Sequence, residues 1–355
     1  MTALTPRMAG VDTSTPVERL ARRVEAGHRL GREEALAILA EAESNPWPLL
    51  AAADRIRRRF RGRAVHLCSI AAVKVGRCGE DCRWCAQSAH WSTGIESRGL
   101  MSADELAQAA EAAARSGAIE FGLVTSGGRL SEAEFRALLV SAQTVRKRTR
   151  LDLCASFGAL EPERARQLVE AGFRRYNHNL ETSARHFPHV CTTHSYEDRV
   201  RSARAAAEAG LELCCGGLLG IGETDEDRAD LAIAVREVGA HVVPLNFLHP
   251  IPGTPLADAA PLPPMKILSI VAMFRLVLPD RLIKLAGGRQ TNLRDLQSLM
   301  FLAGADGCII GNLLTTAGRP PQQDLAMIRD LGLEPARLAA RPRAYRTGRP
   351  AGAGE

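Results

Sequence analysis

The 355-residue chain carries 46 Lys plus Arg against 40 Asp plus Glu, nine cysteines and only 15 aromatic residues. With 46% hydrophobic and 24% charged residues its composition is globular, which excludes a disordered, fibrous or collagenous chain. The net charge of +6 is not a nucleic-acid signature, because residues 336–355 hold five arginines and one glutamate and leave only +2 for the rest.

The first residues lack a basic segment followed by an apolar one, and no run of 18 apolar residues occurs, so a soluble, cytoplasmic protein without a membrane partner is expected. Thiols stay reduced in that compartment. The nine cysteines therefore read as buried hydrophobes, metal ligands or reactive thiols rather than a disulfide frame.

Residues 1–14 and 336–355 are rich in Pro, Gly, Thr, Ala or Arg and are expected to be flexible. Residues 15–63 are expected to form an N-terminal helical layer, in which REEALAILAEAE places Leu36, Ile38 and Leu39 near helical spacing. The block Arg55 to Arg63 (RIRRRFRGR) lacks a run of interleaved aromatics and reads as a solvated helix face or a patch for an acidic protein.

From 64 to 335 short apolar runs alternate with helical segments. The runs are VHLCSIAAV, IEFGLVTSG, LDLCASFGAL, RRYNHNL, LELCCGGLLGIGE, HVVPLNFLHP, LIKLAGG and DGCIIGN, each followed by a helix or a helix-replacing loop. Such runs between capped helices indicate parallel strands buried on both faces. Eight units predict an α/β chain folded as a (β/α)8 TIM-type barrel, with its active site at the C-terminal strand ends. An open doubly wound sheet is the alternative, since closure is not written in a sequence.

The strongest local signal is GRCGEDCRWCAQSAHW, in which Cys78, Cys82 and Cys85 make CxxxCxxC after the first strand. Three thiolates can hold three irons of a [4Fe–4S] cube and leave the fourth open. A structural zinc site is the rival, but it wants a fourth ligand. With Trp84 before the last cysteine, the motif resembles that of the radical S-adenosylmethionine superfamily. The segments YNHNLETS (176–183), CTTHSYEDRV (191–200), GGLLGIGET (216–224), PLNFLHPIPGTPLAD (244–258) and GNLLTT (311–316) narrow the resemblance to the biotin synthases, over about Leu67 to Leu333.

That resemblance implies a barrel in which the open iron binds S-adenosylmethionine, and 5'-deoxyadenosyl radicals take hydrogen from C9 and C6 of dethiobiotin before sulfur is inserted. It also implies a flavodoxin or ferredoxin reductant, for which the Arg55–Arg63 block is a candidate dock, together with iron–sulfur assembly machinery and a homodimer. Another radical enzyme of the same group, such as a hydrogenase maturation enzyme, and a non-catalytic metal-binding protein are the alternatives.

Gly216, Gly217, Gly220 and Gly222 surround the end of the fifth strand, where missing side chains permit close backbone approach to an adenine or ribose, or simply make a tight turn with Glu223 as a helix-start charge. Asn177 and Asn179 point to one face of the fourth strand, and Asn246 lies at the end of the sixth. Amides suit a ureido ring or ribose hydroxyls, and they also cap turns. The resemblance makes Trp84, Asn179, Glu181, Arg199, Gly217 and Gly220 S-adenosylmethionine residues. It makes Asn177, Asn179 and Asn246 dethiobiotin residues.

Well-known biotin synthases hold a sulfur-donating auxiliary cluster with three cysteines and one arginine. Matching Cys154 and Cys214 are present and would be catalytic, whereas Gly122 and Lys284 stand at the other two positions. Cys68 on the first strand can share a barrel layer with Cys154 and Cys214, because alternate strands feed the same layer. An auxiliary iron–sulfur cluster of altered type is expected there, its fourth ligand being Cys215 through a bulge, a sulfide or the substrate. Cys308 reads as core. Cys191 stays open, with His189 and His194 near it in sequence offering a metal reading.

Overall fold

The computed structural model describes residues 14–337, so the terminal segments 1–14 and 336–355 fall almost wholly outside the described residues. Three helices come first: α1 (Pro16–Glu25), α2 (Arg32–Ser44) and α3 (Trp47–Arg61). The strands that follow are β1 (Ala64–Lys74), β2 (Glu120–Thr125), β3 (Asp152–Ser156), β4 (Arg175–Asn177), β5 (Glu212–Cys214), β6 (Gly217–Leu219), β7 (Val242–Phe247), β8 (Leu282–Leu285), β9 (Gly307–Ile309) and β10 (Glu334–Pro335). Between them run α4 (Ala103–Arg115), α5 (Glu132–Arg148), α6 (Pro162–Glu170), α7 (Tyr196–Glu208), α8 (Asp225–Glu237), α9 (Pro264–Val277), α10 (Arg289–Leu293), α11 (Leu299–Leu302) and α12 (Pro321–Asp330).

The strands pair in parallel in the order β1-β2-β3-β4-β5-β7-β8-β9, and β9 returns to β1 through His66↔Gly307, Leu67↔Cys308 and Cys68↔Ile309. The barrel is therefore closed, which rules out the open sheet. The fifth apolar run breaks at Cys215–Gly216 into β5 and β6, and β6 pairs with β7 beyond the break. Four helices after strand ends begin with a capping box, Ser102/Glu105, Ser131/Glu134, Ser195/Asp198 and Thr224/Asp227, each visible in the sequence as Ser/Thr followed three residues on by an acid.

Strand alternation sorts the barrel's side chains. Leu67, Phe121, Leu153, Tyr176, Leu213, Val243 and Ile283 belong to the main core shared with the surrounding helices. Their neighbours one residue away, including Cys68, Glu120, Cys154, Arg175, Cys214 and Lys284, point the other way, into the barrel. Each fully buried large apolar side chain contributes about 1.5–3 kcal/mol to holding strands and helices together. Helix α9 is buried from Ile267 to Val277 because α2, α3 and α8 cover its outer side.

The arginine block is mostly spent inside this layer. Arg55 pairs with Glu25, Arg57 and Arg58 with Asp54, and Arg61 with Asp306, which also receives buried Arg275. The block also lies before the start of β1, whereas Cys78 follows its end, and eleven strand residues separate them by roughly 30 Å or more.

Candidate active site

The loop after β1 is built by its own downstream residues. Ser126 Oγ donates to the Gly76 carbonyl at 2.7 Å, and Gln87 Oε1 accepts from the Gly76 N–H at 3.2 Å. Ser88 Oγ reaches the Glu80 carbonyl, His90 the Gly79 carbonyl, Trp91 Nε1–H the Cys82 carbonyl at 3.0 Å, and Thr93 Oγ1 the Ala86 carbonyl. Side chains of QSAHWST thus bind the loop's own backbone, which gives that segment a structural reason.

Cys78, Cys82 and Cys85 end close together. Burial pushes the Cys85 thiol up, opposed by the Gln87 backbone and assisted by neighbouring Cys78. Trp84 packs between two apolar clusters, one with Val190, Leu218 and Leu248, the other with Cys82, Phe187 and Cys191. A three-thiol donor set with no fourth cysteine on its loop fits a cluster with one open iron.

Opposite the loop, Glu181 adopts φ 67°, a left-handed conformation that few side chains other than Gly take without cost. Its carbonyl accepts from the Leu218 N–H at 2.8 Å, stitching the end of β4 to β6. Burial raises the Glu181 carboxyl, with Arg199 3.7 Å away opposing the shift. Arg199 donates to the Asn179 carbonyl at 2.9 Å, while its buried Nε has no partner. A Cβ on Gly217 would strike the Glu181 carbonyl and meet Leu231 Cδ2 at 2.6 Å. An unpartnered guanidinium nitrogen and a cradle free of side chains fit a cofactor that bears a carboxylate and a ribose.

Gly220 (φ 89°) and Ile221 donate their N–H groups to Glu223, which Arg228 also grips. Glu223 therefore holds the glycine turn, a role beyond a helix-start charge. Asn179 Oδ1 accepts from the Gly216 N–H at 3.2 Å. Asn246 accepts from the Gly287 N–H at 2.9 Å and donates to the Gly217 carbonyl at 3.2 Å, which leaves one amide hydrogen for a ligand.

Inside the barrel a second thiol group faces a charged floor. Cys154 and Cys214 share one small buried cluster with Val242 and Leu282. Asn177 Nδ2 lies 3.4 Å from Cys214 Sγ. Cys68 Sγ is 3.1 Å from Glu120 Oε1, and Lys284 Nζ is 2.9 Å from the same oxygen. Burial opposes the Glu120 charge, yet Lys284 and Arg175 together hold its carboxyl well below the usual range. The Lys284 ammonium, disfavoured by burial, is held protonated first by Cys68 and then by Glu120, Cys214 and Cys154, so it lies near all three thiols. Burial pushes His66, 3.6 Å from Glu120, down to about 3 and keeps it neutral.

Cys215 does not join this group. It belongs to the main core with Leu213 and Leu219, outside the barrel wall, because it keeps the phase of Leu213 rather than bulging inward. Cys308 lies in the same outer core, as expected. Gly122 faces inward, and a Cβ there would meet Ile70 Cγ2 at 3.0 Å, so the β1 residue fills the space a side chain on β2 would need. Glu120, Arg175 and His66 were missed in the sequence. The signal was available, since Glu120 shares its phase with Gly122 and Arg175 with Asn177.

Residues 73–234 match the model of the Radical SAM superfamily, and residues 244–334 match that of the Biotin and Thiamin Synthesis associated domain. The biotin synthase of Geobacter sulfurreducens is 47% identical over 317 residues, covering 89% of this chain and 96% of that protein. That of Desulforudis audaxviator is 48% identical over 319 residues, covering 90% and 97%. Among solved structures, methylornithine synthase superposes with a TM-score of 0.78 at 20% identity, over 90% of this chain and 97% of its own. The FeFe-hydrogenase maturase HydG of Carboxydothermus hydrogenoformans does so at 0.77 and 17%, over 90% and 79%. These two share the fold.

Proposed function

The chain belongs to the biotin synthase family, radical S-adenosylmethionine enzymes that insert sulfur into dethiobiotin, and from that premise we propose that its two thiol sites divide the reaction. Cys78, Cys82 and Cys85 would hold the [4Fe–4S] cluster that binds S-adenosylmethionine. Cys68, Cys154 and Cys214 would hold the auxiliary iron–sulfur cluster. When bound, the first supplies a carbon radical and the second supplies sulfur.

The chain's own residues do the positioning. Arg199 Nε would meet the cofactor carboxylate, Glu181 and Asn179 its ribose, and Gly217 and Gly220 its adenine side. Asn177, beside Cys214, and the spare amide hydrogen of Asn246 would orient the ureido ring. The Glu120–Lys284–Arg175 floor closes the barrel against water below the thiols. The observation that carries the reading is the inward phase of Cys68, Cys154 and Cys214, with Lys284 placed among them in place of an arginine.

A low-potential reductant is also needed. We assign the dock of an acidic flavodoxin or ferredoxin to the cysteine-loop face, where Arg77 and Arg83 are exposed, rather than to Arg55–Arg63. Among the described residues no helix is long and apolar enough to cross a membrane.

The test is anaerobic turnover with dithionite, S-adenosylmethionine and dethiobiotin, read by mass spectrometry. The wild type should give 5'-deoxyadenosine and biotin, Cys82→Ala neither, and Cys154→Ala deoxyadenosine without biotin. Biotin from Cys154→Ala would overturn the assignment of the auxiliary site.

A further inference from the structure

Beside the radical-cluster loop lies a group of metal-binding side chains that sulfur insertion leaves unused. Glu80 sits within the CxxxCxxC loop, Cys191 and His194 come from the loop before α7, and their donor atoms all lie within 4.8 Å of one another. His194 Nδ1 is 2.6 Å from Glu80 Oε2 and 3.4 Å from Cys191 Sγ. We propose that Glu80, Cys191 and His194 form a divalent-metal site suited to zinc, which fastens the 191–194 loop to the radical-cluster loop.

Sulfur, imidazole nitrogen and carboxylate oxygen together are a donor set that zinc accepts. Around a tetrahedral ion with bonds of about 2.0 Å to nitrogen or oxygen and 2.3 Å to sulfur, donors stand roughly 3.3–3.7 Å apart. The sulfur–nitrogen edge already has that length. The Glu80–His194 edge must open by roughly half an ångström or slightly more to reach it, and the Glu80 side chain, 24% exposed, has room to do so.

The two loops are held in register without the three ligands. Asp81 accepts from the Thr192 N–H at 2.8 Å and the Thr193 N–H at 3.2 Å, and the Arg83 N–H donates to the Val190 carbonyl at 3.0 Å. His194 packs at 60° against the Phe187 ring, with centroids 5.5 Å apart. A crevice of about 510 Å³, lined by Cys191, Asp81, His189 and Trp91 among others, reaches Cys191 from the surface. His189 belongs to the crevice wall and stacks near His186 instead of joining the ligands.

Cys82 Sγ lies 3.7 Å from Cys191 Sγ. Once Cys82 is committed to iron, Cys191 keeps His194 at 3.4 Å, Asp81 at 3.3 Å and Thr193 at 3.6 Å, and Glu80 bonds to the same His194 nitrogen. The ion would hold the cluster loop to its neighbour from outside, adding a crosslink between residues more than a hundred positions apart.

The full chain, reconstituted anaerobically with iron and sulfide so that the other cysteine sites are filled, is exposed to zinc, washed with a weak chelator, and read by metal analysis and zinc-edge X-ray absorption. About one zinc per chain is expected, with one sulfur near 2.3 Å and the remaining neighbours near 2.0 Å. Cys191→Ser/His194→Gln should lower bound zinc more than tenfold and leave iron unchanged. His194→Gln alone, which preserves both loop backbones, gives the same reading should the double variant misfold. Wild-type zinc below about a tenth per chain, two or more sulfurs around the ion, or zinc surviving in these variants overturns the proposal. So does parallel loss of iron, which would make the residues part of the cluster site itself.

Discussion

Glu120 and Lys284, 164 residues apart in the chain, meet at 2.9 Å inside the barrel, each almost wholly buried. Neither charge could persist there alone, because an isolated buried ion costs several kcal/mol. Arg175 is the second cation on Glu120 and also meets Glu212 at 2.7 Å, so the floor's two cations are matched by two carboxylates before any cluster binds. Burial and neighbouring Glu120 push the Cys68 thiol up while Lys284 opposes them, and Cys214 alone of the three is drawn down, to about 7, by Cys154 and Lys284 against burial.

Glu120→Gln should therefore cost about 3–5 kcal/mol, since it strands Lys284 and weakens Arg175, whereas Lys284→Met should cost less because Glu120 keeps Arg175. Anaerobic urea unfolding of both variants checks the order. A Glu120→Gln midpoint at or above that of Lys284→Met would show that the carboxylate is not the centre of the network.

The eight βα units and the radical loop could be anticipated because each rests on local pattern: β-like runs, Ser/Thr-started helices and three cysteines in eight residues, whereas closure needed the pairing of β9 with β1. The charged floor could not be read the same way. Glu120 opens a strand after a turn and looks like a solvated strand start, and only the pairing Cys68↔Glu120 shows that it faces a thiol. Cys215 was one of three options for the fourth ligand. Alternation alone puts Cys215 on the face opposite Cys214, and the bulge that would have brought it inward is absent, because the break after β5 leaves Cys215 in the phase of Leu213. Asn246 was found by type and place, but its two backbone bonds depend on the loop after β8 and on Gly217 of β6.

Trp91 predicts a separable effect on the radical loop. Trp91→Phe keeps the ring but loses the donation to the Cys82 carbonyl, a cost of about 1 kcal/mol focused on one turn. The expected outcome is an unchanged fold by circular dichroism with faster loss of cluster iron to a chelator. An unchanged iron-loss rate would show that the other side-chain ties suffice.

Acid should act through the end of β1. Glu134 accepts from Lys74 Nζ at 2.7 Å and caps the Ser131 N–H, and these hold its carboxyl down at about 2, against 4.5 for an unperturbed glutamate. A carboxyl lowered in the folded state binds its proton more readily when unfolded. Its stabilisation is therefore complete above pH 5 and is lost as pH falls toward 2. Glu134→Gln should be less stable than wild type by about 1 kcal/mol at pH 7, and the gap should narrow as pH falls below 5. Thermal unfolding of the pair at pH 7, 5 and 4 reads the trend. A gap that widens on acidification would contradict it.

Gly217 on β6 and Gly222 in the turn after it separate close approach from backbone conformation. Gly222 has φ 94° but open space, its would-be Cβ lying 3.8 Å from His186 Cε1, so Gly222→Ala should cost only the left-handed strain, about 1–2 kcal/mol. Gly217 has ordinary φ, yet its Cβ would collide with the Glu181 carbonyl and with Leu231, so strand β6 would have to move off β4. Gly217→Ala should cost about 3 kcal/mol or more and, because Glu181 and Asn179 shift with it, weaken S-adenosylmethionine binding by at least tenfold. Equilibrium binding of the cofactor to both variants, beside their unfolding curves, distinguishes the two. If Gly222→Ala loses the cofactor while Gly217→Ala retains it, the recognition surface lies on the turn and not at the β4–β6 stitch.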